Sequence, residues 1–154
     1  MSGMETTWVV FVVVADRNGS LTATTECFST RGLGFEAVNT LDVDQGLGVL
    51  AFVFEGSARI ALSLARTLGR LTAVHEVRLE RADDPEVRAL AHVPLEADAV
   101  TRALADHDVD TVAPSGAGGT IVEGTFASLR AAVEALRGDG VTGVTQTVLR
   151  PRDL

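Results

Sequence analysis

Six consecutive residues carry the clearest chemistry in this sequence: Asp16, Arg17, Asn18, Gly19, Ser20 and Leu21. They come after an apolar run from Trp8 to Ala15 and precede a stretch of helical periodicity. The first backbone N–H groups of a helix have no partner inside it, and their partial positive charge suits an anion. N–H groups around Gly19, Ser20 and Leu21 could therefore hold a carboxylate, while the Asp16 carboxylate could accept from an ammonium group. Together these contacts match the head group of an amino acid. Gly19 would let such a ligand approach the backbone closely. The competing role is purely structural, with Asp16 or Asn18 acting as an ordinary helix N-cap.

Other chemistry-bearing residues form no constellation. His75, His92 and His107 lack zinc-type spacing, and Cys27 is the sole cysteine, so it has no partner for a disulfide or a metal site. Cys27 reads as a small core residue of an amphipathic helix. Gly116, Gly118 and Gly119 make a glycine-rich loop, but it joins two expected strands instead of opening a helix, so it is not a phosphate loop. No local pattern links serine, histidine and aspartate into a nucleophilic triad. Asp83, Asp84, Glu86, Glu96, Asp98, Asp106, Asp108 and Asp110 read as a solvated face, with a contact surface for a basic partner as the alternative. The expectation is a chain without catalytic activity, metal or cofactor of its own.

Composition sets the frame for these residues. The 154 residues suffice for one ordinary domain or two small ones, and an apolar share of 46% can build a core. A net charge of −8 disfavours nucleic acid and anionic membrane as partners. No signal-peptide pattern is present at the N-terminus, and the run from Trp8 to Ala15 is too short to span a bilayer, which needs about 20 residues. These features lead to the expectation of a soluble cytoplasmic protein.

The elements that must position the 16–21 turn fall into two similar halves. In the first, residues 7–15 read as a strand buried on both faces. Residues 21–31 read as a helix with Leu21, Thr25 and Phe28 on one face, ended by Gly32 and Gly34. Residues 35–44 alternate, with Phe35, Ala37, Asn39, Leu41 and Val43 on one side. A turn at Asp44, Gln45 and Gly46 leads to a strand over 48–55. Residues 57–69 place Ala61, Leu64, Ala65 and Leu68 on one helical face, and 74–81 close the half as a strand. After a charged, proline-containing linker at 81–85, the order repeats. It runs strand 87–93, helix 96–106, strand 110–114, turn 115–119, strand 120–123, helix 128–137 and strand 141–149. The inward helical residues are Ala97, Val100 and Leu104, then Leu129, Ala132, Val133 and Leu136. The expected fold is α+β, with two tandem ferredoxin-like βαββαβ domains over 5–81 and 86–150. A unit of this size has a thin core and open sheet edges, so a homodimer is expected.

The residues also resemble a known family. Residues 16–21, together with Cys27-Phe28-Ser29-Thr30-Arg31-Gly32-Leu33-Gly34-Phe35-Glu36, resemble the signature of an ACT domain, and more closely that of the acetolactate synthase small subunit. Residues 68–77, 90–93 and 136–147 resemble later stretches of the same family. Gly34 stands where the family carries Asn, and residues 46–50 lack its Ser-Arg pair. The resemblance implies an N-terminal ACT domain that senses an amino acid and a C-terminal regulatory domain. It implies a homodimer that binds a branched-chain amino acid such as valine at its interface, using Asp16, Asn18, Gly19, Ser20, Leu21, Gly34 and Phe35. It further implies association with a large catalytic subunit that holds thiamine diphosphate, Mg²⁺ and FAD, and activation of that subunit in branched-chain amino acid biosynthesis. Two other readings stay open: a free-standing tandem ACT protein that regulates another enzyme, and a divergent subunit without feedback control.

Overall fold

A computed structural model describes residues 5–116 and 118–154. The elements run in the order β1 (Thr6–Ala15), α1 (Ser20–Ser29), β2 (Ala37–Asp44), β3 (Leu47–Gly56), α2 (Ala58–Leu68) and β4 (Val74–Arg81). The second series is β5 (Arg88–Val93), α3 (Ala97–Ala103), β6 (Val109–Ser115), β7 (Gly119–Thr125), α4 (Phe126–Gly138) and β8 (Thr145–Val148). The chain divides between Ala82 and Asp83 into two compact units. Each unit is a ferredoxin-like βαββαβ domain with its own antiparallel four-stranded sheet, ordered β2-β3-β1-β4 in the first and β6-β7-β5-β8 in the second.

In the first unit β1 is the spine. It pairs with β3 through Thr6↔Gly56 to Ala15↔Leu47, and with β4 from Trp8↔Arg81 to Val14↔Val74. Every residue of β1 from Trp8 to Val14 is buried, as the unbroken apolar run requires. Trp8, Val10, Val12 and Val14 meet Leu50, Phe52 and Phe54 of β3 beneath Phe28, Ala61, Leu64 and Leu68 of the helices. The Trp8 indole N–H donates to the Gly56 carbonyl (3.0 Å), so this buried donor is satisfied. Ser57 caps α2 by accepting from the Ile60 N–H (3.3 Å). The β2–β3 hairpin turns on Gln45 and Gly46, both at positive φ, the pattern of a two-residue type I′ turn.

Helix α1 differs from expectation. It begins at Ser20 and ends at Ser29, with Ser20, Thr24, Cys27 and Phe28 as its buried face. Leu21, expected inward, is 49% exposed. Ser20 and Thr24 take the inward positions because they are small enough to pack against the sheet, with the Thr24 hydroxyl donating back to the Ser20 carbonyl (2.7 Å). Strand β2 starts at Ala37, two residues later than the alternation predicts. A bulge at Leu41 shifts its register between Thr40 and Asp42. The extra residue reverses the phase of the strand beyond it, so Val43 joins the face of Val38 and leaves that of Ala37 and Asn39.

The second unit repeats the plan. Ala89, Ala91 and Val93 of β5 pack with Val122, Val100, Leu129, Ala132, Val133 and Leu136. Thr125 caps α4 by accepting from the Ser128 N–H (3.1 Å). Helix α3 stops at Ala103, earlier than the expected 106, and β8 is confined to Thr145–Val148 instead of 141–149. The expected turn over 115–119 includes Ala117, which lies outside the described residues.

Candidate functional site

The turn between β1 and α1 is built from both ends. The Asp16 N–H donates to the Gly46 carbonyl (2.8 Å), which ties the turn to the β2–β3 hairpin. The Arg17 N–H donates to Ala15 O (3.0 Å), and the Ser20 N–H to Arg17 O (3.2 Å). Gly19 is the N-cap at φ +87, a left-handed conformation that glycine adopts without penalty. Neither Asp16 nor Asn18 caps the helix, because Gly19 occupies that position and, among the described residues, no side-chain cap bond is made there. The structural role expected for these two residues is therefore not the one they play.

The helix end is left open. The Gly19 carbonyl accepts from the Ala23 N–H (2.9 Å), while the N–H groups of Leu21 and Thr22 have no partner among the described residues. The first turn holds no acidic residue. Ser20 is 5% exposed, and its Oγ is buried without a hydrogen-bond partner. A buried hydroxyl left unpaired costs stability that a ligand oxygen or nitrogen could recover. Asp16, Arg17, Asn18 and Gly19 lead into this end and are exposed, so the turn carries one carboxylate and one guanidinium.

Gly34 and Phe35 lie elsewhere. They come after the C-terminal end of α1, a helix of 10 residues, and so stand about 15 Å along it from the 16–21 turn. Gly34 borders open space. Phe35 is 38% exposed and meets Phe28 edge-on at 5.4 Å and Phe52 at 5.5 Å. Within the chain the seven expected residues thus form two groups: Asp16, Asn18, Gly19, Ser20 and Leu21 at one end of α1, and Gly34 with Phe35 at the other.

The alternative sites carry less. Cys27 is buried, and its thiol donates to Ala23 O (3.4 Å). Burial pushes that thiol up from its ordinary value, Glu26 adds to the rise, and the Arg31 guanidinium opposes it. A thiol held protonated is a poor nucleophile. Among the described residues no three His, Cys, Asp or Glu side chains gather as a metal site, and no helix is long and apolar enough to cross a membrane.

No protein-family profile matches the chain, and no curated protein matches it. Solved structures do. The acetolactate synthase small subunit from Thermotoga maritima superposes with a TM-score of 0.64 over 93% of this chain and 94% of its own, at 15% identity. That likeness carries the fold over both units. An aspartate kinase from Clostridium acetobutylicum gives a TM-score of 0.49 at 14% identity, over 87% of this chain and 33% of its own. The ACT domain of a GTP pyrophosphokinase from Chlorobium tepidum gives 0.44 at 17% identity, over 53% and 91%.

Sequence reasoning named Leu21 and Phe35 but missed two residues of β2, Val38 and Val43. Among the large hydrophobic residues, Val38 (39%), Val43 (54%), Phe35 and Leu21 are exposed. Val38 pairs with Phe52 and Val43 with Gly48, so both project toward the helix side of the sheet. The alternation of β2 places Val43 on the other face, and only the bulge reveals that the two share one.

Proposed function

We propose that this protein is a non-catalytic regulatory subunit of the acetolactate synthase small-subunit type, which binds an amino acid between two copies of its first domain. The observation that carries the reading is the open N-terminus of α1, with its free N–H groups and the buried, unpartnered Ser20 hydroxyl. A carboxylate suits those donors, and Asp16 suits the ammonium group.

The β2 edge supplies the reason for a dimer. Among the described residues strand β2 has a partner on one side only, and it exposes Val38 and Val43 on the helix side of the sheet, with Phe35 just before the strand and Leu21 on α1 also exposed. A two-fold axis through β2 makes the two copies pair antiparallel. The Ala37 end of one strand then lies beside the Asp44 end of the other. Asp44 is at the level of Leu47 and Ala15, next to the 16–21 turn. Phe35 of one copy therefore approaches the open helix end of its mate, and the two groups of candidate residues combine across the interface. An apolar side chain on the effector would rest against Phe35, which favours a branched-chain amino acid such as valine.

In this reading the catalytic partner is a large subunit that carries thiamine diphosphate, Mg²⁺ and FAD, and this chain holds none of them. Binding of the small subunit favours the partner's active state, and the effector weakens that bias. Isothermal calorimetry against valine, leucine and isoleucine, with light scattering for mass, tests the proposal. The expected result is a dimer that binds one amino acid per protomer. A folded dimer that binds none of the three would overturn the sensor.

A further inference from the structure

The outer face of α2 carries a cationic patch that no contact within the described residues uses. Arg59, Arg66 and Arg70 recur at intervals of seven and four residues, so they line one stripe along the helix and the turn after it. Leu62 stands beside this stripe and is 50% exposed. Among the described residues none of the three guanidinium groups has an ion pair or hydrogen bond. Residues 56–75 contain no Asp or Glu, in a chain of net charge −8. Arg31 adds a fourth cation to the helix layer where it donates to the Thr67 hydroxyl, and Glu26 is the only acid on the two helices.

The helix itself gains little from this arrangement. Arg59 sits in the first turn, where the helix dipole disfavours a cation. Arg66 has the dipole in its favour near the C-terminus, but Arg70 four residues on repels it. An exposed leucine amid these charges adds nothing to the core.

The patch is also clear of the proposed dimer interface. Helix α2 packs over β1 and β4, on the side of the sheet away from β2. Helix α1 flanks it on the Thr67 side through Arg31, and Leu62 lies on the opposite flank. A dimer joined at β2 would present the patch twice, once on each protomer.

We infer that the α2 face formed by Arg59, Leu62, Arg66 and Arg70 docks an acidic protein surface with an apolar socket for Leu62, and that this surface belongs to the catalytic partner. The inference rests on the regulatory-subunit reading. Arginine forks match carboxylates in a bidentate geometry. The leucine and the chain's overall negative charge favour a protein over nucleic acid or an anionic membrane.

The test is association of the full-length protein with the large catalytic subunit encoded by the same organism, measured by calorimetry at low and high salt. The variants are the Arg59→Glu, Arg66→Glu double change, Leu62→Ser alone, and Arg102→Glu on α3 as a control. Circular dichroism and light scattering establish that each remains folded and dimeric. The double change should weaken association at least about tenfold and flatten its salt dependence, and Leu62→Ser should weaken it at any salt. The control should bind as the parent does. If the parent binds and the α2 variants bind equally well, the docking surface is wrong while the regulatory reading stands. If the parent does not bind, the regulatory reading fails and takes this inference with it.

Discussion

Ser20 is the residue at which stability and binding point in opposite directions. Its Oγ is buried with no partner, while its carbonyl already accepts from Thr24. An unpaired buried hydroxyl is a net cost to the folded state, so Ser20→Ala should leave the thermal midpoint unchanged or raise it. The same change should weaken amino-acid binding about tenfold if the hydroxyl contacts the ligand. Thermal melts and calorimetry on one preparation separate the two effects. Lower stability with unchanged affinity would make Ser20 a packing residue only. The sequence does not discriminate between these roles, because it offers the Ser20 N–H to a carboxylate without indicating where the side chain points. Gly19 takes the cap position with a left-handed backbone, so Ser20 falls in the first turn of α1 with its side chain buried.

Strand β2 shows which features of an element are legible in a sequence and which are not. Its existence, its hairpin with β3 and the fold class all derive from local signals: alternation, the Gln45-Gly46 turn and the contiguous valines of β1. The same holds for α4, whose Leu129, Ala132, Val133 and Leu136 face inward as their spacing predicts. The bulge at Leu41 gives no such signal, because one extra residue alters the phase of a strand without altering its composition. Leu21 misleads for a related reason: a leucine near a helix start looks like core until small polar neighbours take the inward positions. The separation of Phe35 from the 16–21 turn, by contrast, follows from the expected helix over 21–31, whose length alone holds the two apart. These positions make the edge testable. Val38→Lys should blunt it, as lysine does on natural edge strands, and raise the monomer–dimer dissociation constant at least about tenfold. Sedimentation at several concentrations would measure this. If the dimer survives unchanged, β2 is not the joining edge, and the composite amino-acid site loses its geometric basis.

At the scale of the molecule, two cores must be accounted for. The first gathers Trp8, Phe28, Phe52 and Phe54 with the valines of β1, and the second is built around Leu129, Val133 and Leu136 without a fully buried aromatic ring. Aromatic pairs knit the first, with Phe28 at 4.8 Å from Phe52 and 5.5 Å from Phe54. The second depends mainly on aliphatic packing, with the partly buried Phe126 against it, in a unit small enough for one lost side chain to matter. Leu136 is 1% exposed, so Leu136→Ala should cost the second unit about 2–5 kcal/mol through lost burial and the cavity left behind. Because the proposed amino-acid site and the β2 edge both belong to the first unit, the proposed dimerisation and effector binding should persist in this variant. The heat-capacity trace should then resolve into two transitions, the lower one assigned to the second unit. A single cooperative transition that moves as a whole, with loss of amino-acid binding, would mean that the effector site draws its stability from the whole chain and not from the first unit alone.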